Sequence, residues 1–374
     1  MVRFATLLLV LSSAGCHALL GIDDFSTADA SIDVPMPDTF VADGQVCFGS
    51  LTRVCVASPP VGTIIIAGAL DTDGDPRCDV HMQTGGPDLC VIAGGQISIE
   101  NTVVTGSRPL VFIGSGGITV NATITVSSPR SGMLGAAATT TPCAASQAGT
   151  AGSEDGGGAG GSFGTLGGAG GAGGNNGGAG GVVAPIINLS VIRGGCAGGP
   201  GGPGNGAVGG VAGKSGGAIA LLGGSQISII AAGAIYASGG GGGAGGLLGS
   251  RAGAGGGGSG GLVVLDAPSI QILGAVVAHG GGGGGGGAAS NGEPGADGAT
   301  AMLDVAGLGG PSESTTHGGP GGHGTSRLDT ALAGSAPSGS ANGSGGGGGG
   351  GAGIVWMHGT LAGGTKISPA PQVH

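Results

Sequence analysis

Aromatic side chains are almost missing from this chain. Its 374 residues include one Trp, one Tyr and six Phe, 2% in all, and only 8% are charged. A conventional core needs many large side chains. Burying an Ile or Leu contributes about 1.5 to 3 kcal/mol, while ordering each residue costs about 1 to 2 kcal/mol of backbone entropy, and more for glycine. Basic residues are scarce as well: ten Lys and Arg, scattered singly, face twenty Asp and Glu, for a net charge of −10 and an isoelectric point near 4.8. Binding phosphate backbones takes clustered cations, so this composition excludes nucleic acid as a partner. Half of the acids precede residue 80, which leaves the remainder electrically bland. Glycine fills the space, with 100 residues. Such tracts cannot fold by side-chain burial, so their backbone groups stay solvated or satisfy one another.

The apolar residues that are present form a recurring unit. Gly261–Gly280, GLVVLDAPSIQILGAVVAHG, lies without gaps on Pro109–Ser128, with Leu110, Ile113, Ile118, Val120, Ile124 and Val126 opposite Leu262, Leu265, Ile270, Ile272, Val276 and Ala278. Asp88–Ser107 fits the same template through Leu89, Ile92, Ile97, Ile99, Val103 and Thr105, so the unit recurs after about 21 residues. Within ITVNATITV the apolar residues alternate with polar ones, a period of two that specifies strand. Parallel strands stacked about 4.8 Å apart would align these residues in rows, giving an all-β chain built as a right-handed parallel β-solenoid, or β-helix. Thr63–Ile66 reads as its first strand, Val182–Ile192 as a strand pair and Gly216–Gly240 as a further unit. Gly353–Ser368 reads as the closing one, with Trp356 and Met357 capping the open end.

Three glycine-rich arms interrupt the rhythm, at about 132–213, 239–258 and 281–351. Collagen demands glycine at every third position with proline-rich partners, which GEPGADGAT sustains only briefly. Two readings remain, a flexible linker and a bundle of extended polyglycine II helices with three residues per turn, whose backbones approach closely enough to hydrogen-bond sideways. The order GGA GGA GGN favours the bundle, because it puts the side chains on one edge and leaves two glycine edges free to pack.

Motifs that carry chemistry are few. GGVAGKSG at Gly209–Gly216 misses the phosphate-loop spacing because Val208 stands where glycine is needed, and GGSGG around Ser259 has no His or acid placed to complete a triad. His317 and His323 lack acids or cysteines at ligand spacing. Asp71, Asp73, Asp75 and Asp79 alternate about a glycine turn, a pattern suited to calcium, although Met82 occupies the place where an EF-hand has its closing Glu. Calcium is therefore the one cofactor to test. Glu100, Arg108, Arg193 and Asp266, the groups a polysaccharide-degrading β-helix enzyme would have to assemble, stand isolated.

The amino-terminal residues read as an address. Arg3, the apolar run Phe4–Leu11 and Ser13-Ala14-Gly15-Cys16 resemble a lipoprotein signal whose cysteine is lipidated. This divides the chain into a signal peptide (1–15), an acidic lipid-anchored linker (16–45), the solenoid (46–368) and a tail (369–374). With Cys16 set aside, Cys47, Cys55, Cys78, Cys90, Cys143 and Cys196 can pair completely. Fifteen pairings are possible, and pairing of sequence neighbours is the expectation. No CxxC spacing supports zinc.

The lipobox, the GIDDF leader, the 21-residue units and the glycine tracts together resemble glycine-rich lipoproteins of the myxobacterial type, and the tracts are similar to those of PE-PGRS proteins. That resemblance implies an exported protein of the cell envelope; His17, where inner-membrane lipoproteins often carry Asp after the lipidated Cys16, makes outer-membrane anchoring the expectation, with display at the cell surface toward extracellular glycan or envelope surface. It brings no catalytic residues. The expected role is a surface adhesin or structural element of the envelope. A passive periplasmic spacer and a polysaccharide-degrading enzyme are the alternatives.

Overall fold

The computed structural model describes residues 45–140, 143, 155–174, 178–184, 189–204, 207–246, 251–287, 298, 303–312, 317–338, 343–364 and 366–374. All belong to one compact unit, Thr39–His374. Cys16, the signal and all but the last residue of the acidic linker lie outside the described residues.

Among the described residues there are strands and no helix. In chain order they are β1 (Val46–Phe48), β2 (Val54–Val56), β3 (Thr63–Asp71), β4 (Asp79–His81) and β5 (Leu89–Thr105). β6 (Leu110–Val120), β7 (Thr123–Thr125), β8 (Ala218–Gly223), β9 (Gln226–Ile229) and β10 (Ala234–Tyr236) follow. The last are β11 (Leu262–Ile272), β12 (Ala275–Val277), β13 (Ile354–Gly363), β14 (Ile367–Ser368) and β15 (Gln372–Val373). β1 and β2 make an antiparallel hairpin, and the other strands form a single 13-stranded sheet that is parallel except where β4 meets β5.

This sheet is organised as three successive ladders. The first aligns Cys90, Leu110, Ile219, Val263 and Val355. The second aligns Ile64, Ile97, Ile118, Ile227, Ile270 and Leu361, and the third aligns Thr102, Ile124, Ile235, Val276 and Ile367. Long strands take part in more than one ladder because they shift register at corners, as β5 does between Gly94 and Gln96 and β11 between Asp266 and Ser269. Stacked β-branched residues suit this pleated surface, and nearly all of these residues meet in one buried cluster.

The first ladder is buried on both faces. Its alternate row, Val91, Val111, Ala220, Val264 and Trp356, belongs to a second cluster closed by Val54 of the hairpin and by Phe163 and Ile192 from the first arm. Trp356 and Met357, on the last long rung, therefore do not form one cap over a single core. Neighbours on a strand point to opposite faces, so Met357 enters the inner core while Trp356 lies under the outer layer. The strand pair expected at Val182–Ile192 is likewise missing from its described parts, 182–184 and 189–192. Instead Gln83 acts as the edge partner of Ile192, accepting its N–H at 2.9 Å and donating to its carbonyl at 2.6 Å. Residues 369–374 supply β15, which pairs with β13 and so joins the sheet.

Each arm leaves after a strand of the third ladder (β7, β10 or β12) and returns to one of the first (β8, β11 or β13). Between these points the backbones bond sideways in steps of three residues. Gly157 and Gly160 donate to Gly171 and Gly168, while Gly158 and Gly161 donate to Ala254 and Gly257, all at 2.8–2.9 Å. Gly348 and Gly351 in turn donate to Gly158 and Gly161 at 2.9 Å. Glycine is required at such contacts: a Cβ on Gly347 would fall on the carbonyl of Gly255. Several of the arms' larger side chains project outward, Val208 being 84% and Leu328 73% exposed, while Phe163 and Ile192 turn in to the outer cluster.

Candidate functional site

The turn between β3 and β4 holds the four carboxylates expected to bind calcium, and it does not gather them. Asp73 accepts hydrogen bonds from the Ser107 amide at 2.7 Å and its hydroxyl at 2.6 Å, with Arg108 at 3.4 Å. Asp75 takes a bidentate contact from Arg77 at 2.9 and 2.6 Å, Asp71 accepts the Asp73 amide at 3.0 Å, and Asp79 meets His81 at 3.0 Å. Each carboxylate is engaged by a different neighbour, and among the described residues no group of three or more His, Cys, Asp or Glu could hold a metal ion. The turn instead fastens β3 to the loop after β5.

These contacts set an acid limit on stability. Burial pushes Asp73 up, but the Ser107 hydrogen bonds and the Arg108 charge outweigh it and hold the carboxyl below its ordinary 3.8. The hydrogen bond from Arg77 holds Asp75 down against the opposing effect of burial. A group more acidic in the folded state contributes stability that is present above its unfolded pKa and lost as pH falls through the folded one. Thermal midpoints are accordingly expected to decline as pH falls below about 4, with a shallower decline in Asp73→Asn and Asp75→Asn, measurable by circular dichroism melts on the acid side.

A second polar cluster forms where the outward row of the first ladder changes character. Ala93, Ile113 and Leu222 hold this row at earlier rungs, and Asp266 and His358 continue it. Asp266 is only 8% exposed. One of its carboxylate oxygens accepts the Ser50 amide at 2.6 Å and the other lies 3.1 Å from His358 Nδ1. Ser50 Oγ is also 3.1 Å from that same nitrogen. A nucleophile–base–acid relay uses both ring nitrogens of its histidine, so this arrangement fastens the β1–β2 hairpin to the sheet and does not activate Ser50. Trp356 lies beside it, stacked on His358 at 6.2 Å and on His374 at 5.2 Å between ring centroids. The signal for this cluster was the acid itself: a carboxylate in an aliphatic row must have partners, here supplied by residues distant in sequence.

No known protein family, curated protein or solved structure matches the chain. Its function must be read from its own geometry.

The other residues singled out in the sequence serve the framework. Glu100 accepts from Asn121 Nδ2 at 2.9 Å, Arg108 donates to the Thr72 carbonyl at 3.1 Å, and Arg193, its pKa lowered by burial, lies 3.0 Å from Cys143 Sγ. With Asp266 under the hairpin, these four occupy separate environments. Lys214 donates to the Gly132 carbonyl at 2.5 Å, and the buried Ser259 accepts the Cys196 amide at 2.8 Å. Disulfides join Cys47 to Cys55 across the hairpin, Cys78 to Cys90, and Cys143 to Cys196. An open cleft of about 430 Å³ between the hairpin, the segment after β4 and Ser190–Val191 is lined by Arg53, His81 and Gln83 among others. His323 lines a smaller one of about 300 Å³ with Asp329 and Leu332.

Proposed function

We propose that this chain is a cell-envelope lipoprotein, anchored to membrane lipid through Cys16, that acts as a surface adhesin or structural element. In this reading the three ladders wind as a right-handed solenoid with turns of about 21 residues, and the arms form a polyglycine II bundle on one side of it. One observation carries the proposal: the arms bury glycine backbone and turn many of their aliphatic side chains outward. Val182 (70% exposed), Val208, Val211, Leu328 and Leu332 all face solvent. A surface of extended backbone edged with aliphatic groups and little charge suits broad, low-specificity contact with glycan or envelope surface.

The rival reading, a β-helix enzyme acting on polysaccharide, needs acids and bases converging on one face. Glu100, Arg108, Arg193 and Asp266 are each committed to structural contacts, which supports contact over catalysis. Protease digestion of intact cells, with a known periplasmic protein as leakage control, tests the proposal. Cleavage of this chain while the control survives is expected. Cleavage only after the outer membrane is opened would reject the adhesin and leave a periplasmic spacer.

A further inference from the structure

Arg193 is a cation without an opposite charge. It is partly buried, and burial lowers its pKa with no acid to offset the effect. Its guanidinium donates from Nε to the Gly194 carbonyl at 3.3 Å and from Nη2 to Cys143 Sγ at 3.0 Å, and among the described residues no carboxylate pairs with it. A cation withdrawn from water without a counter-charge is costly, and a neutral sulfur is a weak acceptor. A thiolate in the same place would be a full counter-charge.

The backbone on either side holds this cation in place without help from the disulfide. Ile192, the residue before it, is bonded through both its amide and its carbonyl to Gln83. Beyond it, the Gly195 amide donates to the Gly216 carbonyl at 2.9 Å and the Cys196 amide to Ser259 Oγ at 2.8 Å. The two bridged residues differ in access, Cys143 being partly exposed and Cys196 only 2% exposed. An incoming thiolate therefore meets Cys143 first, beside the positive charge.

We propose that Cys143 Sγ is a site of thiol–disulfide exchange, with a dithiol as its substrate class and Arg193 as the group that favours the open form. A thiolate of the dithiol attacks Cys143 Sγ, the Cys143–Cys196 bond breaks, and its electron pair passes to Cys196 Sγ, which takes a proton from solvent. The second sulfur of the dithiol, once deprotonated, attacks the first. A disulfide forms within the reagent, and Cys143 departs as a thiolate paired with Arg193. The protein bond is reduced by two electrons and the dithiol is oxidised by two. A stabilised thiolate is both the better leaving group and a bias toward the reduced form. Opening releases the clamp on the 53-residue span that carries the first arm. The inference rests on these contacts alone and not on the adhesin reading.

The test equilibrates the full chain, in detergent micelles, with mixtures of reduced and oxidised dithiothreitol at about pH 8, near the ordinary pKa of a thiol. Alkylation and peptide mass spectrometry then read the three bonds separately. Arg193→Gln should shift the Cys143–Cys196 equilibrium toward the closed form by about tenfold, or about 30 mV, as expected for loss of a contacting opposite charge. Cys47–Cys55 and Cys78–Cys90 in the same sample should not move. Arg193→Lys keeps the charge and should lie closer to the parent than to Arg193→Gln. Glutathione, a monothiol offered in place of the dithiol, should leave its adduct on Cys143. An unchanged equilibrium in Arg193→Gln, a shift shared by all three bonds, a lysine variant that matches the glutamine one, or an adduct on Cys196 would each overturn the proposal.

Discussion

Replacing Gly347 by alanine is expected to destabilise the protein by about 2 to 5 kcal/mol, although the change adds a single methyl group. Gly347 donates to Gly284 at 2.9 Å, accepts from Gly322 at 2.8 Å and faces the carbonyl of Gly255 where its Cβ would be. A methyl group there must push a neighbouring segment away, at about 1 to 3 kcal/mol for overpacking, with about 0.5 to 1.5 kcal/mol for each hydrogen bond lost. Because the displaced segments bond to further segments, the damage should spread: amide exchange should accelerate at Gly284 and Gly322 as well as at the substituted site. Val208→Ser, on the exposed edge, is the matched control and should fall within about 0.5 kcal/mol of the parent. Chemical denaturation with exchange mass spectrometry reads both. Equal effects of the two changes would mean that the arms are not packed as the hydrogen bonds indicate.

The three disulfides are expected to contribute unequally, in the order of the loops they close. Cys143–Cys196 spans 53 residues, Cys78–Cys90 spans 12 and Cys47–Cys55 spans 8. Loop-closure entropy assigns these about 4, 3 and 2.5 kcal/mol respectively. The longest loop has a further reason to matter. Cys196 is 2% exposed and its carbonyl accepts the Ser259 amide at 3.0 Å, so the bridge clamps the first arm where it meets the second. Denaturation of the Cys143→Ser/Cys196→Ser double variant against the other two paired variants should show the greatest loss for the first. A larger loss from Cys47→Ser/Cys55→Ser would shift the weight from chain entropy to the packing of the hairpin's Val54 in the outer cluster with Trp356.

Strand character was legible from alternation alone, and the second ladder pairs as a gapless overlay of the repeats places it: Ile97 with Ile118, and Ile118 through Ile227 with Ile270. In the third ladder Ile124 lies through Ile235 opposite Val276 as the overlay has it, but the first ladder and the earliest repeat of the third are displaced by one residue. Leu110 pairs with Cys90, not Leu89, and Ile124 with Thr102, not Val103. Corners differ in length by a residue between rungs, and glycine there leaves no side-chain pattern to reveal it. Local spacing also could not show that Ser50, Asp266 and His358 meet, since their contact depends on a hairpin folding back over the sheet. The turn at Asp71–Asp79 misled for a related reason: carboxylate spacing was visible, but Ser107 and Arg108, which occupy Asp73, arrive from the next strand's loop.

That Gly351 donates to Gly161, and Gly345 to Asp155, has a kinetic meaning. The first arm to be synthesised cannot complete its hydrogen bonding until nearly the whole chain is present. Contacts so distant in sequence carry a loop-closure cost with no early reward, which makes for slow folding. The ladders built from neighbouring segments, β5 with β6 above all, can form first and act as the jig on which the arms are later laid. A chain cut short before Gly345 would retain most of its sheet and lose the strand of glycine that ties the earliest arm to the latest.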